Sequence, residues 1–326
     1  MTGAEEVVIP AQARTRGQIS NPSPKREWIP VFTGMTEKWI PGFFYESIMA
    51  ETPSRKETDR NSYPPVTGIG RDEHVCMVRE IFTTVPGRYD FLNRLLSLRR
   101  DVAWRRFAVR KMRFFDTFHL LDVATGTADL AIEAARRHPE IRVTGIDFIP
   151  EMLAPGRNKV ALRGLAGRIR LLQADALGLP FPDGSFDAVG IAFGIRNIPD
   201  RLAALREMRR VLVPGGRVYV LEMNAPRNRF WRGFFAPYLN RVLPGIARLF
   251  SQNPAAYLYL IDSITHFPPP PAFLAMMEEA GFSKRERYSL TLGITSLYIG
   301  QRSKNGDIGD SASTETRREK AKEKIG

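Results

Sequence analysis

Five positions in this 326-residue chain have the residue types and setting to hold a small polar molecule: Gly126, Asp147, Asp175, Arg196 and Asn197. Gly126 lies in LDVATGTADL (121–130), where an apolar run gives way to a turn and then to the helical pattern of 131–135. A glycine lets the backbone pass closely beneath a ligand. Asp129 stands where the helix begins, and the unpaired N–H groups of a helix start suit an anionic or strongly polar group. Asp147 closes a second apolar run, IRVTGID. That is about the distance downstream at which a nucleotide-binding fold sets a carboxylate against a pair of ribose hydroxyls. Asp175 ends a third run, IRLLQADA, where its carboxylate can accept from an amino group such as that of adenine; a solvated loop or helix cap explains it equally well.

These groups converge only if the runs are parallel strands, because ligands of such sheets collect beyond the strands' carboxyl ends. The run in 179–197 follows an Asp183-Gly184 turn and ends at Gly194-Ile195-Arg196-Asn197, giving a fourth such end on the same edge. The intervening segments read as helices. Residues 150–164 have Pro150 in the first turn but are interrupted by Pro155 and Gly156. Residues 201–212 form a helix closed by Pro214-Gly215-Gly216, after which a fifth strand spans 217–223. Upstream, 89–112 has helical apolar spacing through Leu92, Leu95, Leu96 and Trp104, with Tyr89, Asp90 and Asn93 as hydrogen-bonding groups on its first turns. Downstream, 271–280 reads as a helix ended by Gly281, followed by strands at 282–290 and 293–301.

Composition narrows the function classes. One cysteine, Cys76, excludes an internal disulfide, and it lies outside the motif-bearing stretch, which argues against a catalytic thiol. His74, His119, His138 and His266 are scattered without metal-ligand spacing, so no metal is expected. The net charge of +13 arises within 81–302, which holds 32 basic and 19 acidic side chains. A basic surface is compatible with nucleic acid, an anionic membrane face, or solubility alone. No run of about 18 apolar residues could span a bilayer, and the N-terminus lacks a secretory pattern, so a cytoplasmic protein is expected. A dinucleotide fingerprint fails at Ala128, which stands where a glycine is needed, and no Lys-Ser or Lys-Thr follows the turn as phosphate-loop chemistry requires.

Four stretches together resemble the ubiquinone/menaquinone biosynthesis C-methyltransferase family of class I S-adenosylmethionine-dependent methyltransferases. They are YDFLNRLLS with Trp104, LDVATGTADL, FGIRNIPD (193–200) and RVLVPGGRVYVLEMNAP (210–226). YLYLIDSITHFP and SLTLGITSLYIG add to the match, which spans roughly 78–302. The resemblance implies an α/β fold, Rossmann-like, with a seven-stranded mostly parallel sheet and helices on both faces. It implies S-adenosyl-L-methionine as cofactor, held by Asp122, Thr125, Gly126, Asp147, Asp175 and Ala176. The implied reaction is methylation of a ring carbon of a prenylated hydroquinone, most simply demethylmenaquinol. Arg196, Asn197 and Tyr89 are the implied catalytic residues, the guanidinium stabilising a phenolate or orienting a water that takes the proton. Three departures stand out. Ala128 replaces a usual glycine of the cofactor loop, 99–101 read Arg-Arg-Asp, and Asn253-Pro254 alter a stretch often acidic in relatives.

Residues 76–302 are thus expected to form the methyltransferase domain, with 1–75 a weakly ordered extension and 303–326 a charged tail. WIPVFTGMTEKWIPG (28–42) looks like a translated bacterial intergenic repeat, which suggests a start codon placed too far upstream. Between the fifth strand and the last helix, 227–267 form a helical lid. Its Phe230, Trp231, Phe234 and Phe235, interleaved with arginines, suit a polyprenyl tail and transient contact with an anionic membrane surface; helices capping the core are the plain alternative. No nucleic acid is expected as partner, a homodimer is open, and methylation of RNA or a non-catalytic scaffold are the rival functions.

Overall fold

The computed structural model describes residues 30–33, 36–39, 70–84, 94, 97–224 and 255–304. Tyr89, Asp90, Asn93 and the lid residues Phe230, Trp231, Phe234 and Phe235 lie outside them.

A short antiparallel hairpin, β1 (Pro30–Thr33) and β2 (Thr36–Trp39), precedes helix α1 (Arg71–Thr84). Helix α2 (Arg100–Lys111) is shorter than the spacing of 89–112 suggests. Leu98 and Arg99 both have positive φ, at 50° and 61°, and two left-handed residues in succession cannot continue a right-handed helix.

Three βα units follow: β3 (His119–Val123) with α3 (Asp129–Arg137), β4 (Arg142–Asp147) with α4 (Pro150–Leu162), then β5 (Ile169–Gln173). The chain crosses to the other side of β3 for β6 (Phe186–Ala192), α5 (Arg201–Val211) and β7 (Leu212–Met223). Helices α6 (Ala255–Thr265) and α7 (Pro270–Glu279) lead to β8 (Ser283–Leu290) and β9 (Thr295–Gln301). The sheet order is β5-β4-β3-β6-β7-β9-β8; β9 is antiparallel to both β7 and β8, and the other pairs are parallel. The order reverses between β3 and β6, the place where open α/β sheets leave a crevice for ligand.

Both faces are covered, so successive residues of one strand join opposite cores. Leu120 packs with Trp104, Ala131 and Leu153 under α2, α3 and α4, and Leu121 packs with Leu205, Met208 and Phe273 under α5 and α7.

Two expected interruptions have different outcomes. Pro155 and Gly156 do not break α4. The carbonyl that Pro155 deprives of a donor belongs to exposed Glu151 in the first turn, where water can reach it. Pro214-Gly215-Gly216 does not separate α5 from a later strand, because β7 already begins at Leu212. The register jumps from Phe186↔Leu212 to Ala188↔Arg217, so 213–216 bulge out of the ladder. Gly215 there has φ +88°, and a Cβ on Gly216 would lie 2.9 Å from the Val213 carbonyl oxygen.

Candidate active site

The glycine turn is built around a buried carboxylate. Asp122 on β3 faces Gly145 across one ladder and Gly190 across the other. Its Oδ2 accepts from the Thr125 hydroxyl at 2.6 Å and from the Ala131 amide at 3.1 Å. A Cβ on Gly145 would sit 2.7 Å from Thr125 Oγ1, so that glycine makes room for the brace. Asp122 and Thr125 therefore brace the turn from beneath. Burial pushes the Asp122 carboxyl up to about 7, against the hydrogen bonds from Thr125 and Ala131, with the Asp147 charge adding to the rise.

Gly126 (φ +54°) donates its amide to Asp147 Oδ2 at 2.8 Å, and Ile149 donates to Oδ1 at 3.0 Å. Half-buried Asp147 thus clasps the turn from the end of β4 and keeps lone pairs for further donors. Burial raises its carboxyl to about 6, and amide hydrogen bonds from Ile149 and Gly126 oppose that rise. Helix α4 presses on the turn through Gly156, where a Cβ would come 3.3 Å from the Gly126 carbonyl oxygen. Ala128 adopts φ +66°, and its methyl is fully buried within the apolar core. The departure from glycine therefore strains the backbone without filling the ligand side of the loop.

At the start of α3, Lys159 joins the Asp129 carboxylate to the Thr127 hydroxyl. Burial works to raise the Asp129 carboxyl, but Arg105 and then Lys159 outweigh it and hold it below its usual range. One strand beyond Asp147, Asp175 is exposed past the end of β5 and accepts from the Leu177 amide at 2.9 Å, while Ala176 packs against the neighbouring apolar core.

On the other side of β3, the chain leaves β6 through Phe193 (φ +60°) into a 3-10 turn, Ile195–Asn197. Gly194 lets that turn abut the glycine corner, since a Cβ there would lie 2.6 Å from Ala124 Cβ. The turn delivers Arg196 into the interior, 5% exposed, where its guanidinium pairs with Glu222 at the end of β7. Glu222 is wholly buried and also accepts from the Arg196 amide at 3.3 Å and the Met223 amide at 2.8 Å. Arg201 donates to the Arg196 carbonyl at 3.0 Å. Asn197 is half-buried, and its Oδ1 accepts from the Tyr259 hydroxyl of α6 at 3.0 Å.

Gly126, Asp147, Asp175, Arg196 and Asn197 thus occupy one edge of the sheet, around the switch between β3 and β6. Glu222, Tyr259 and Gly156 are the additions that sequence reasoning missed. Glu222 had a signal, a lone carboxylate closing an apolar strand. Gly156 was visible only as a helix flaw, and Tyr259 had no signal of its own.

This sheet order, with its single antiparallel strand and acidic strand ends beside a glycine turn, defines a class I methyltransferase. A chain from the complex containing the Haloferax volcanii Trm112 methyltransferase activator has a similar fold, with a TM-score of 0.50 and 19% identity, covering 68% of this chain and 97% of that one. The profile of the ubiE/COQ5 methyltransferase family matches residues 70–302, and the chain belongs to that family. The ubiquinone/menaquinone biosynthesis C-methyltransferase UbiE of Geotalea daltonii is 47% identical over 226 residues, 69% of this chain and 96% of the relative. The demethylmenaquinone methyltransferase of Thermus thermophilus is 48% identical over 222 residues, 68% of this chain and 100% of that protein. The one from Deinococcus radiodurans is 44% identical over 239 residues, 73% and 97%.

The cofactor of this enzyme class, S-adenosylmethionine, suits the residues present. A Cβ on Gly126 would meet only Met152 Cε at 3.6 Å, so the turn is open above the glycine. The carboxylates of Asp147 and Asp175 at that edge are acceptors for a ligand's hydroxyl or amino groups.

Proposed function

We propose that the protein transfers the methyl group of S-adenosylmethionine to a ring carbon of a prenylated hydroquinone, with demethylmenaquinol as first choice. The observation that carries this reading is the pair Arg196-Asn197 at the end of β6, beside the cofactor corner, with one side chain held rigidly and the other offering an uncommitted donor. The family and the names of the Thermus and Deinococcus relatives support the substrate class.

When bound, the cofactor supplies an electrophilic sulfonium methyl group. Ring carbon is a weak nucleophile until a phenolic proton departs, so the protein's part is to align the ring and stabilise the phenolate. Among the described residues none accepts a hydrogen from Asn197 Nδ2, which leaves that amide to donate to the substrate oxygen. Arg196, its plane fixed by Glu222, orients a water that takes the phenolic proton; an arginine is too weak a base to take it directly. Once methylated, the attacked carbon would lose its hydrogen as a proton to a water oriented by Arg196, which would restore the aromatic ring. Tyr89, outside the described residues, is kept from the sequence as a further hydrogen-bonding group for cofactor or substrate.

The test is label transfer with N197A and R196K. Removing one such donor costs on the order of 10²-fold in rate when it acts on developing charge, and the affinity for S-adenosylmethionine should be unchanged. R196K keeps the charge while losing the fork that matches Glu222. Turnover at the wild-type rate in both variants would overturn these roles, and absence of turnover by the wild type would favour a scaffold.

A membrane-dissolved substrate calls for reversible docking. No helix among the described residues is long and apolar enough to cross a membrane. The arginines and aromatics of 229–250 would supply docking instead, each basic residue contributing about 1 kcal/mol near an anionic surface. Binding to anionic vesicles should weaken with salt and on changing Trp231 and Phe234 to Ala; unchanged binding would leave those residues as packing.

A further inference from the structure

Helix α1 precedes the sheet, yet its His74 is linked through Tyr259 of α6 to the turn that bears Asn197. His74 and Tyr259 are buried, 6% and 4% exposed, with Tyr259 packed against Met77 and Ile81 of α1. His74 Nε2 lies 3.3 Å from the Tyr259 hydroxyl oxygen, and that hydroxyl donates to Asn197 Oδ1 at 3.0 Å. A phenol has one hydrogen to give. Since Asn197 receives it, the Tyr259 oxygen is left as an acceptor and His74 Nε2 must carry the hydrogen between them. The chain of donors therefore has one direction, from His74 through Tyr259 to Asn197. Burial, and next the Arg201 charge, lowers the His74 pKa, which favours the neutral ring.

We propose that His74 and Tyr259 are positioning residues which lock the Asn197 amide with its oxygen turned to α6 and its NH2 presented to the substrate oxygen. An amide left to itself can flip, and its oxygen would then face a phenolate and repel it. With His74 donating to the Tyr259 oxygen, a flipped amide would turn its NH2 to the hydroxyl and leave the hydroxyl hydrogen without an acceptor, which opposes the flip. The proposal rests on the reading that Asn197 donates to the substrate.

A double-mutant cycle on the full chain separates the two. Radiolabel transfer is measured for wild type, Y259F, N197A and the double variant, with S-adenosylmethionine affinity and thermal midpoint followed in parallel. Loss of one oriented hydrogen bond is expected to lower the Y259F rate about 10-fold with the cofactor's affinity unchanged. In the N197A background the same change should cost less than about 2-fold, because Tyr259 acts only through Asn197. An equal loss in both backgrounds would overturn the relay, whereas wild-type turnover of N197A would overturn the reading beneath it. H74Q, which can still donate, should retain more activity than H74L, and equal rates for these two would also contradict the proposal.

Discussion

At the scale of single residues, burial raises two carboxyls towards neutral pH. Asp147 is raised to about 6 by burial, and only its ionised form accepts from both hydroxyls of a ribose. Affinity for S-adenosylmethionine, measured by titration calorimetry, should be flat above pH 7 and fall as pH drops through 6, while D147N should be weak throughout. Asp122 makes a different prediction. Its folded-state value of about 7 lies above the ordinary carboxyl value of 3.8, so between these limits the folded protein binds the proton more tightly. Stability of the unliganded protein therefore decreases as pH rises through that window, at up to about 1.4 kcal/mol per pH unit for this group. Urea unfolding at pH 5 and pH 7.5 should show this decline in the wild type and a flatter profile in D122N. The Arg196-Glu222 pair adds a stability test: E222A leaves a guanidinium buried without its carboxylate and should cost roughly 3–5 kcal/mol.

At the scale of elements, the strands and turns were the legible part of the sequence because their signals are local. Apolar runs ending in Asp147 and Asp175, and the glycine at 126, needed no distant partner to be read. The boundaries were less so. Leu98 and Arg99 take left-handed conformations that residue type does not announce, and the bulge at 213–216 is a sheet irregularity in which Pro-Gly-Gly resembles a helix stop. Long-range partners were not legible either. Glu222 and Arg196 are 26 positions apart, and His74 and Tyr259 are 185 apart. Asp187 shows how such a partner governs an element. From β6 it accepts from the amides of Phe115, Asp116 and Phe118, tying down the segment that enters β3. D187A orphans those donors and should cost roughly 3 kcal/mol in urea unfolding; a loss below 0.5 kcal/mol would mean that water replaces the carboxylate.

At the scale of the whole molecule, the sheet brings the glycine corner from β3, β4 and β5 against the Arg196-Asn197 turn from β6, with β7 and α6 holding that turn in place. The account predicts a methyl acceptor with an ionisable oxygen beside a nucleophilic ring carbon. The most direct measurement is label transfer from methyl-labelled S-adenosylmethionine under reducing conditions, offering demethylmenaquinol, the corresponding benzoquinol and bulk RNA side by side. Label on a ring carbon of either quinol, and strongest on demethylmenaquinol, is the predicted result. Label in RNA alone, or in none of the three while the cofactor still binds, would contradict it.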